Sequence, residues 1–280
     1  MKPDLHCHSF YSDGNHSPDF LFKRAEENGV THLAITDHDC IDAFEKPLDE
    51  CYELTLIPGV EISSDWDNQE VHLVGLGIDW KNPLLKNLLI GQQLARKSRI
   101  ESIDQLLSKN GIDGLMNYLN QLPCVAYTRS HVADFLVDSG HVKNKQKAFK
   151  QYLGKRSKAY VPFNWQTLAT VIETIQKADG MAVLAHPGRY SLSKRKMELL
   201  IEQFAKLGGD GIEVSYGGID PMMQKKLELL ADSSSLYVSM GSDFHNAEAH
   251  WTDIGKYPTP SAAAIKNAIW NHPRWHFETS

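Results

Sequence analysis

The chain has 280 residues, of which 42% are hydrophobic and 23% charged, and this composition is that of an ordinary globular protein. Its formal net charge of −6 argues against a protein that coats nucleic acid through a broad positive field. No apolar run is long enough to span a bilayer and no charged leader precedes the first strand pattern, so we expect a cytoplasmic protein. Four cysteines lack CxxC spacing and predict free thiols: Cys7, Cys40, Cys51 and Cys124.

Short runs rich in Val, Ile and Leu alternate with amphipathic segments, which is the pattern of parallel strands buried between helices. The first helix begins after Ser17, which can cap it, and Pro18 lies in its first turn; Gly29 follows its last residue. Seven strands are predicted, near residues 3–7, 32–36, 55–62, 71–78, 181–185, 211–215 and 236–240.

The strand pattern stops between Trp80 and about Trp165, where leucines recur at helical spacing. We therefore predict a barrel built from residues 1–80 and 166–280, with residues 81–165 inserted as a helical cap. One stretch of the insertion is basic and contains no acidic residue, so it is either a solvated helix face or a patch for a polyanion; it holds Lys143, Lys145, Lys147, Lys150, Lys155, Arg156 and Lys158.

Nearly every predicted strand ends in, or carries, a residue that can bind a metal or move a proton. The carboxyl ends of the strands converge on one face of an α/β barrel, so we expect these side chains to meet there. In chain order they are His6, His8, Asp13, Asp37, His38, Glu61, His72, His186, Glu213, Asp243 and His245. Six other histidines fall outside this pattern and are expected to have structural roles: His16, His32, His141, His250, His272 and His276.

His6 and His8 lie two residues apart on a strand, so both imidazoles can reach one ion. A mixed set of imidazoles and carboxylates suits zinc, manganese or iron better than calcium. A bridging carboxylate such as Glu61 or Asp243 would hold two ions roughly 3.5–4 Å apart, the separation used for in-line displacement at phosphorus. This pattern favours a catalytic rather than a structural metal site.

Ordered motifs then span the chain: Asp4-Leu5-His6-Cys7-His8-Ser9, Thr36-Asp37-His38, Pro58-Gly59-Val60-Glu61, His72, His186-Pro187 and Ser242-Asp243-Phe244-His245. Together they resemble the polymerase and histidinol phosphatase (PHP) family. The resemblance implies a distorted (β/α)7 barrel that binds two or three divalent ions, manganese first, with zinc, iron or magnesium as the other candidates. It also implies nine metal ligands, at His6, His8, Asp13, His38, Glu61, His72, His186, Asp243 and His245.

Two further motifs are similar to those of the family's 3′,5′-nucleotide bisphosphatases and 5′-to-3′ exoribonucleases: His186-Pro187-Gly188-Arg189-Tyr190 and Thr128-Arg129-Ser130-His131-Val132-Ala133. The substrate expected from this resemblance is a nucleotide or a short oligonucleotide, attacked at phosphorus by a hydroxide that the ions activate.

Residues of these two motifs have expected roles in this chemistry. Arg129 and Arg189 would clamp phosphate oxygens, and Ser130 would donate a hydrogen bond to them. His131 is one candidate for the general acid, beside a metal-bound water, His186 or His245. Four aromatic residues near the cap either stack on a base or belong to the core: Tyr127, Tyr160, Phe163 and Trp165.

Three alternatives stay open at this point. The first is another phosphomonoesterase of the same family, acting on histidinol phosphate or phosphotyrosine. The second is an amidohydrolase barrel, against which stand the seven strands, the positions of Asp13 and Glu61, and the lack of a lysine that could be carbamylated at a strand end. The third is a metal-dependent nucleic-acid-binding accessory module. No membrane and no obligate protein partner is expected.

Overall fold

The computed structural model describes residues 1–45, 52–249 and 252–277. Within these ranges one eight-stranded sheet runs in the order β1-β2-β3-β4-β6-β7-β8, with β5 beside β3. After β8 the chain returns to β1, where the Asp243 amide donates to the His6 carbonyl at 2.8 Å and the sheet nearly closes into a barrel. The strands are β1 (Pro3–Cys7), β2 (His32–Ile35), β3 (Thr55–Trp66), β4 (Gln69–Leu76), β5 (Gln166–Thr167), β6 (Met181–Leu184), β7 (Gly211–Ser215) and β8 (Tyr237–Met240).

All seven predicted strands are present, and β5 is a two-residue addition. The expectation of parallel strands is wrong for β4, which pairs antiparallel with both β3 and β6. Only Asp67 and Asn68 separate β3 from β4, and both have left-handed backbones, with φ of 51° and 57°. Such a turn makes a hairpin, because a parallel crossover needs about a dozen residues.

Ten α-helices lie in the same ranges, and the first confirms its predicted signals: the Ser17 side chain accepts from the Phe20 amide, and Gly29 has φ of 68°. None of these helices is long and apolar enough to cross a membrane. They are α1 (Pro18–Glu27), α2 (Asp42–Glu45), α3 (Pro83–Ser108), α4 (Leu115–Leu119), α5 (Arg129–Asp138), α6 (Lys145–Ala148), α7 (Leu168–Lys177), α8 (Lys194–Lys206), α9 (Pro221–Ser233) and α10 (Ala262–Ile265).

Helix α3 joins two hydrophobic cores. Near its start, Leu85 and Leu89 pack into the main core between the sheet and helices α7 to α9. Farther along, Ile103 and Leu107 pack with α4, α5 and α6 in a separate core. The helical content of the predicted cap is thus as expected from its leucine spacing, whereas the division of the chain at residues 81 and 165 stays a prediction.

The cysteines in the described ranges carry free thiols, as expected, at Cys7, Cys40 and Cys124. Cys7 is buried, faces away from the neighbouring histidines along β1, and its thiol donates to the Ala34 carbonyl. Cys51 lies outside the residues that the structure describes, and so does His250.

Candidate metal centre

All nine residues that the sequence nominates as metal ligands lie together at one end of the sheet. They form four overlapping groups whose nitrogen and oxygen atoms lie within 4.8 Å of one another. The groups are His8, Asp13, His38 and His245; His6, Glu61 and His186; His6, His8 and Asp243; and His38, Glu61 and His72. The strands and the loops that follow them position these side chains, since each group draws on residues in or just after at least two different strands.

Glu61 is the centre of this arrangement. It lies in β3 and is completely buried. One carboxylate oxygen lies 2.8 Å from His186 Nε2 and 3.0 Å from His72 Nδ1. The other oxygen lies between His38 on one side and the His6–His8 pair on the other. A carboxylate in this position can bridge two ions.

The donor atoms fit a set of divalent cations. His6 Nε2 and His8 Nε2 are 3.1 Å apart and converge on the same space, as their spacing on β1 predicts. Within the described part of the chain, nine buried side-chain atoms lack a hydrogen-bond partner, and four of them belong to this cluster: Asp13 Oδ1, His38 Nδ1, Glu61 Oε2 and His186 Nδ1. Buried polar atoms normally have a partner, and divalent ions held among these side chains would supply one to the atoms that face them.

The electrostatics of the cluster keep its carboxylates ionised. Burial by itself would raise the pKa of Glu61, but the surrounding imidazoles, His38 first, hold it well below its ordinary value. Burial is likewise opposed at Asp243, where Arg189 and His6 hold the pKa well below its ordinary value. Ionised carboxylates beside imidazoles are the ligand set of zinc, manganese and iron sites.

Two members of the cluster have strained backbones. His186 and Asp243 have φ of 28° and 51°, in the left-handed region that non-glycine residues rarely adopt. Each follows the end of a strand, β6 or β8, and its side chain belongs to the cluster. Strain of this kind persists where the surrounding structure fixes a functional geometry.

Two further strand-end carboxylates support the cluster instead of joining it. Glu213 in β7 accepts from the backbone amide of His186 at 2.7 Å and lies 2.9 Å from His6 Nδ1, so it fixes both residues. Asp37 accepts from the Ser9 amide, the Ser9 hydroxyl and the Ser12 hydroxyl, which holds the loop after β1 in place. Partners of this kind set the orientation of metal-ligating histidines.

The motif of residues 128–133 lies at the N-terminus of α5, beside the cluster. The Arg129 guanidinium is 3.0 Å from Glu70, and the Ser130 hydroxyl accepts from Lys145. His131 is buried, and its Nδ1 accepts from the Thr128 amide at 3.0 Å. Its Nε2 therefore carries the proton and donates to the Ser12 carbonyl at 3.0 Å. Nδ1 thus caps the N-terminus of α5, and Nε2 holds the loop that leads to Asp13. The role of His131 as general acid stays a prediction.

Arg189 also lies next to the cluster, and it lines the same groove as Arg129. Its guanidinium pairs with Asp243, donates to the Gly217 carbonyl at 3.1 Å and lies over the Tyr216 ring. The side chain is 42% exposed, so part of it faces solvent beside the cluster.

The profile of the PHP domain matches residues 4–215 of this sequence. The chain belongs to the PHP family. A curated relative from Escherichia coli, named 5′-3′ exoribonuclease Rnm, is 39% identical over 277 residues, which cover 97% of this chain and 94% of the relative. A relative from Chromobacterium violaceum, named 3′,5′-nucleoside bisphosphate phosphatase, is 37% identical and covers 95% and 94% of the two chains.

Solved structures agree with the fold of a PHP protein. A structure from Chromobacterium violaceum, described as an amidohydrolase with bound sulfate and no metal, matches with a TM-score of 0.88 and 34% identity over 97% of this chain and 95% of that one. A structure from Bifidobacterium adolescentis, whose description names a metal-dependent phosphoesterase, matches with a TM-score of 0.78 and 27% identity over 94% of each chain. The family match decides between the PHP fold and the amidohydrolase alternative in favour of the former.

Three charged residues beside the metal cluster are not indicated by any sequence motif. Glu70 lies in β4, and Arg96 and Arg99 lie in α3; all three line the cavity next to the cluster. None belongs to a motif or follows a strand end. The sequence does offer one indication of the two arginines. Both fall on the side of α3 that leucine spacing predicts to be buried, and a buried charge needs a partner because an unpaired one is costly.

Proposed function

We propose that the protein hydrolyses nucleotide phosphate esters, namely 3′,5′-nucleoside bisphosphates and short 5′-phosphorylated oligoribonucleotides. The PHP family match and the relatives named as an exoribonuclease and a bisphosphate phosphatase support a phosphate-ester hydrolase that uses divalent metal. The substrate, manganese as the ion and the residue roles below are the parts that this proposal adds.

One observation carries the proposal: candidate metal ligands and guanidinium groups line the same cavity beside the cluster. Its volume is about 160 Å³, and its lining includes Asp13, His38 and His72 together with Arg96, Arg99 and Arg129. A substrate with two phosphates would use both kinds of residue, because cations must offset the charge of the phosphate that reacts and paired donors must hold the other phosphate in place. Histidinol phosphate and phosphotyrosine carry one phosphate each. They therefore account for fewer of the guanidinium groups in this cavity than a nucleotide with two phosphates does.

Bound divalent ions would lower the pKa of a coordinated water toward neutrality and offset the negative charge of the ester. The chain supplies the rest. We infer that Glu61 and the histidines around it hold the ions, that Arg129 and Ser130 bind phosphate oxygens, and that Arg189 both fixes Asp243 and offers its exposed side to the ester. Tyr127 and Trp165 line the same cavity and are placed to contact the nucleoside.

The direct test is phosphate or nucleotide release from adenosine 3′,5′-bisphosphate and from a short 5′-phosphorylated RNA, with manganese present. Wild-type protein should turn over both, and the His8→Ala and Arg129→Ala variants should lose turnover of both. Turnover of histidinol phosphate or phosphotyrosine at a higher kcat/KM would contradict the substrate proposal, and tight RNA binding with no cleavage would favour the accessory module.

The basic stretch of residues 143–158 leads to a second expectation, because Lys155 lines a groove of about 460 Å³ that continues from the cavity. Changing the exposed Lys143, Lys147 and Lys155 to Gln should weaken turnover of the RNA and lower the slope of its salt dependence by roughly 0.7 for each phosphate that the variant no longer neutralises. Turnover of the bisphosphate should stay nearly unchanged. A matched control changes three exposed lysines elsewhere, Lys23, Lys225 and Lys266, to Gln. Equal losses on both substrates would contradict this role.

A further inference from the structure

The first of the four ligand groups contains a single carboxylate, that of Asp13. Its other members are the imidazoles of His8, His38 and His245. Asp13 lies six residues past the end of β1, farther from a strand than any other nominated ligand, so pairing in the sheet does not fix its position. An ion held by this group would receive the group's only negative charge from a loop residue, and such a ligand needs support from elsewhere in the fold.

The two carboxylate oxygens of Asp13 have different surroundings. Oδ1 lies 3.3 Å from His245 Nε2 and 3.7 Å from His38 Nε2, and it has no partner in hydrogen-bonding geometry among the described residues. Oδ2 lies 3.1 Å from the hydroxyl oxygen of Thr128, the residue just before α5. One oxygen therefore faces the imidazoles of the group, and the other is held from the predicted cap.

The Thr128 hydroxyl has one proton, and its contacts show which acceptor receives it. The hydroxyl oxygen accepts from the Ser130 amide at 3.1 Å, which caps α5. It also lies 3.4 Å from His131 Nδ1, but that nitrogen already accepts from the Thr128 amide at 3.0 Å. The Asp13 carboxylate is closer, and a charged acceptor makes the stronger hydrogen bond. Thr128 therefore donates its proton to Asp13 Oδ2.

The groups on both sides of this hydrogen bond are themselves held in place. Thr128 is buried, and the buried Arg96 donates to the carbonyl of the residue before it at 3.2 Å. His131 donates to the carbonyl of Ser12, which directly precedes Asp13, at 3.0 Å. Because its own position is fixed, the Thr128 hydroxyl can restrict the rotation of the Asp13 side chain.

We propose that Thr128 is a positioning residue for the candidate metal ligand Asp13. Its hydroxyl holds Oδ2 so that Oδ1 stays turned toward the imidazoles of the group, and a ligand fixed in this way loses less conformational freedom when an ion binds. Arg129 and Ser130 directly follow Thr128, so one turn of the chain positions both a metal ligand and the residues proposed to bind phosphate. The inference rests on the divalent ions of the proposed function, and not on its substrate.

The test is a manganese titration of the metal-free protein by calorimetry. It compares the wild type with Thr128→Val, which keeps the shape of the side chain but lacks the hydroxyl. Thr128→Val should weaken one manganese site by about 10- to 100-fold and leave the other binding unchanged, the loss expected when a ligand loses its support. Half-maximal turnover of adenosine 3′,5′-bisphosphate should require more manganese by the same factor. Thr128→Ser keeps the hydroxyl and should bind manganese as the wild type does.

The matched control is Thr167→Val, because Thr167 caps α7 in the same way, through a hydroxyl that accepts from the Thr170 amide at 3.3 Å. Thr167 belongs neither to the ligand groups nor to the lining of the cavity. Both valine variants lose a helix cap, so each should lower the melting temperature of the metal-free protein by about 2–4 °C. Only Thr128→Val should change the affinity for manganese.

The outcomes separate the positioning role from the proposed function. Unchanged manganese affinity in Thr128→Val, or an equal loss in Thr167→Val, would overturn the positioning role and leave the proposed function standing. If manganese affinity falls only in Thr128→Val but the wild type cleaves no nucleotide, the proposed substrate fails and the positioning role stands. A wild type that binds neither manganese nor zinc would overturn both. Should Thr128→Val fail to fold, Thr128→Ala, which places no methyl group against Asp13, replaces it in the same measurements.

Discussion

The Glu61→Gln variant is expected to lower kcat toward every phosphate ester by about 10³-fold, the loss of roughly 4 kcal/mol of stabilisation from the ions. Glutamine has almost the same shape but no charge and only one oxygen. Five imidazoles lie within 3.4 Å of the Glu61 carboxylate oxygens, more than surround any other carboxylate of the cluster, and they belong to His6, His8, His38, His72 and His186. The substitution therefore changes the carboxylate that contacts more imidazoles of the cluster than any other.

Two measurements check this expectation, initial rates with saturating manganese and manganese binding by calorimetry. Both should fall in Glu61→Gln, and chelation of the wild type should lower its melting temperature, since a ligand that binds only the folded state stabilises it. The matched control is Glu202→Gln on α8, where an exposed carboxylate pairs with Lys206. Full activity and unchanged manganese binding in Glu61→Gln would contradict a bridging role for this residue.

The sequence predicts the cluster well because position along a strand is a local property. His6 and His8 can be placed on one face of β1 by counting, and the strand ends before His38, His186 and Asp243 are marked by apolar runs. Their convergence then follows from barrel geometry without any long-range information. The direction of β4 is not evident from apolar runs, which look alike in parallel and antiparallel strands; only the short Asp67-Asn68 connection excludes a crossover.

The cavity wall is less predictable, for a different reason. Arg99 meets Glu70, Phe163 and Trp165 only because α3 packs across the end of the sheet, and no spacing in the sequence encodes that contact. The supporting roles of Glu213 and Asp37 are hard to predict for the same reason. A carboxylate near a strand end has the same sequence pattern whether it binds an ion or accepts hydrogen bonds from protein groups. Long-range packing, and not residue type, decides between these roles.

The largest expected effect on stability is at Arg96, a residue that connects α3 to the barrel. Its guanidinium lies 2.7 Å from Asp39, and the two side chains are 6% and 0% exposed. It also donates to Ser63 in β3 and to the Tyr127 carbonyl just before α5. Arg96→Met should lower the free energy of unfolding by about 3–5 kcal/mol, because it leaves the Asp39 charge buried without a cationic partner.

Urea unfolding of two further variants isolates the cause. Arg24→Met breaks a pair of similar geometry, 2.6 Å from Asp253, but the Arg24 side chain is 37% exposed, and its loss should cost less than about 1 kcal/mol. The double variant Arg96→Met/Asp39→Asn should recover part of the loss, since no uncompensated charge remains. Asparagine is chosen because Asp39 has φ of 47°, a conformation that asparagine tolerates.

The three variants distinguish burial from geometry. If Arg96→Met and Arg24→Met cost the same, the contact geometry alone sets the cost, and the buried position of Arg96 contributes nothing. If the double variant is as unstable as Arg96→Met, the lost stability comes from the hydrogen bonds to Ser63 and Tyr127, and not from the Asp39 carboxylate that has lost its ion-pair partner. A partial recovery is the outcome that identifies the unpaired Asp39 as the main cost. Because His38 directly precedes Asp39, that outcome would also explain how α3 keeps one wall of the metal cluster in place.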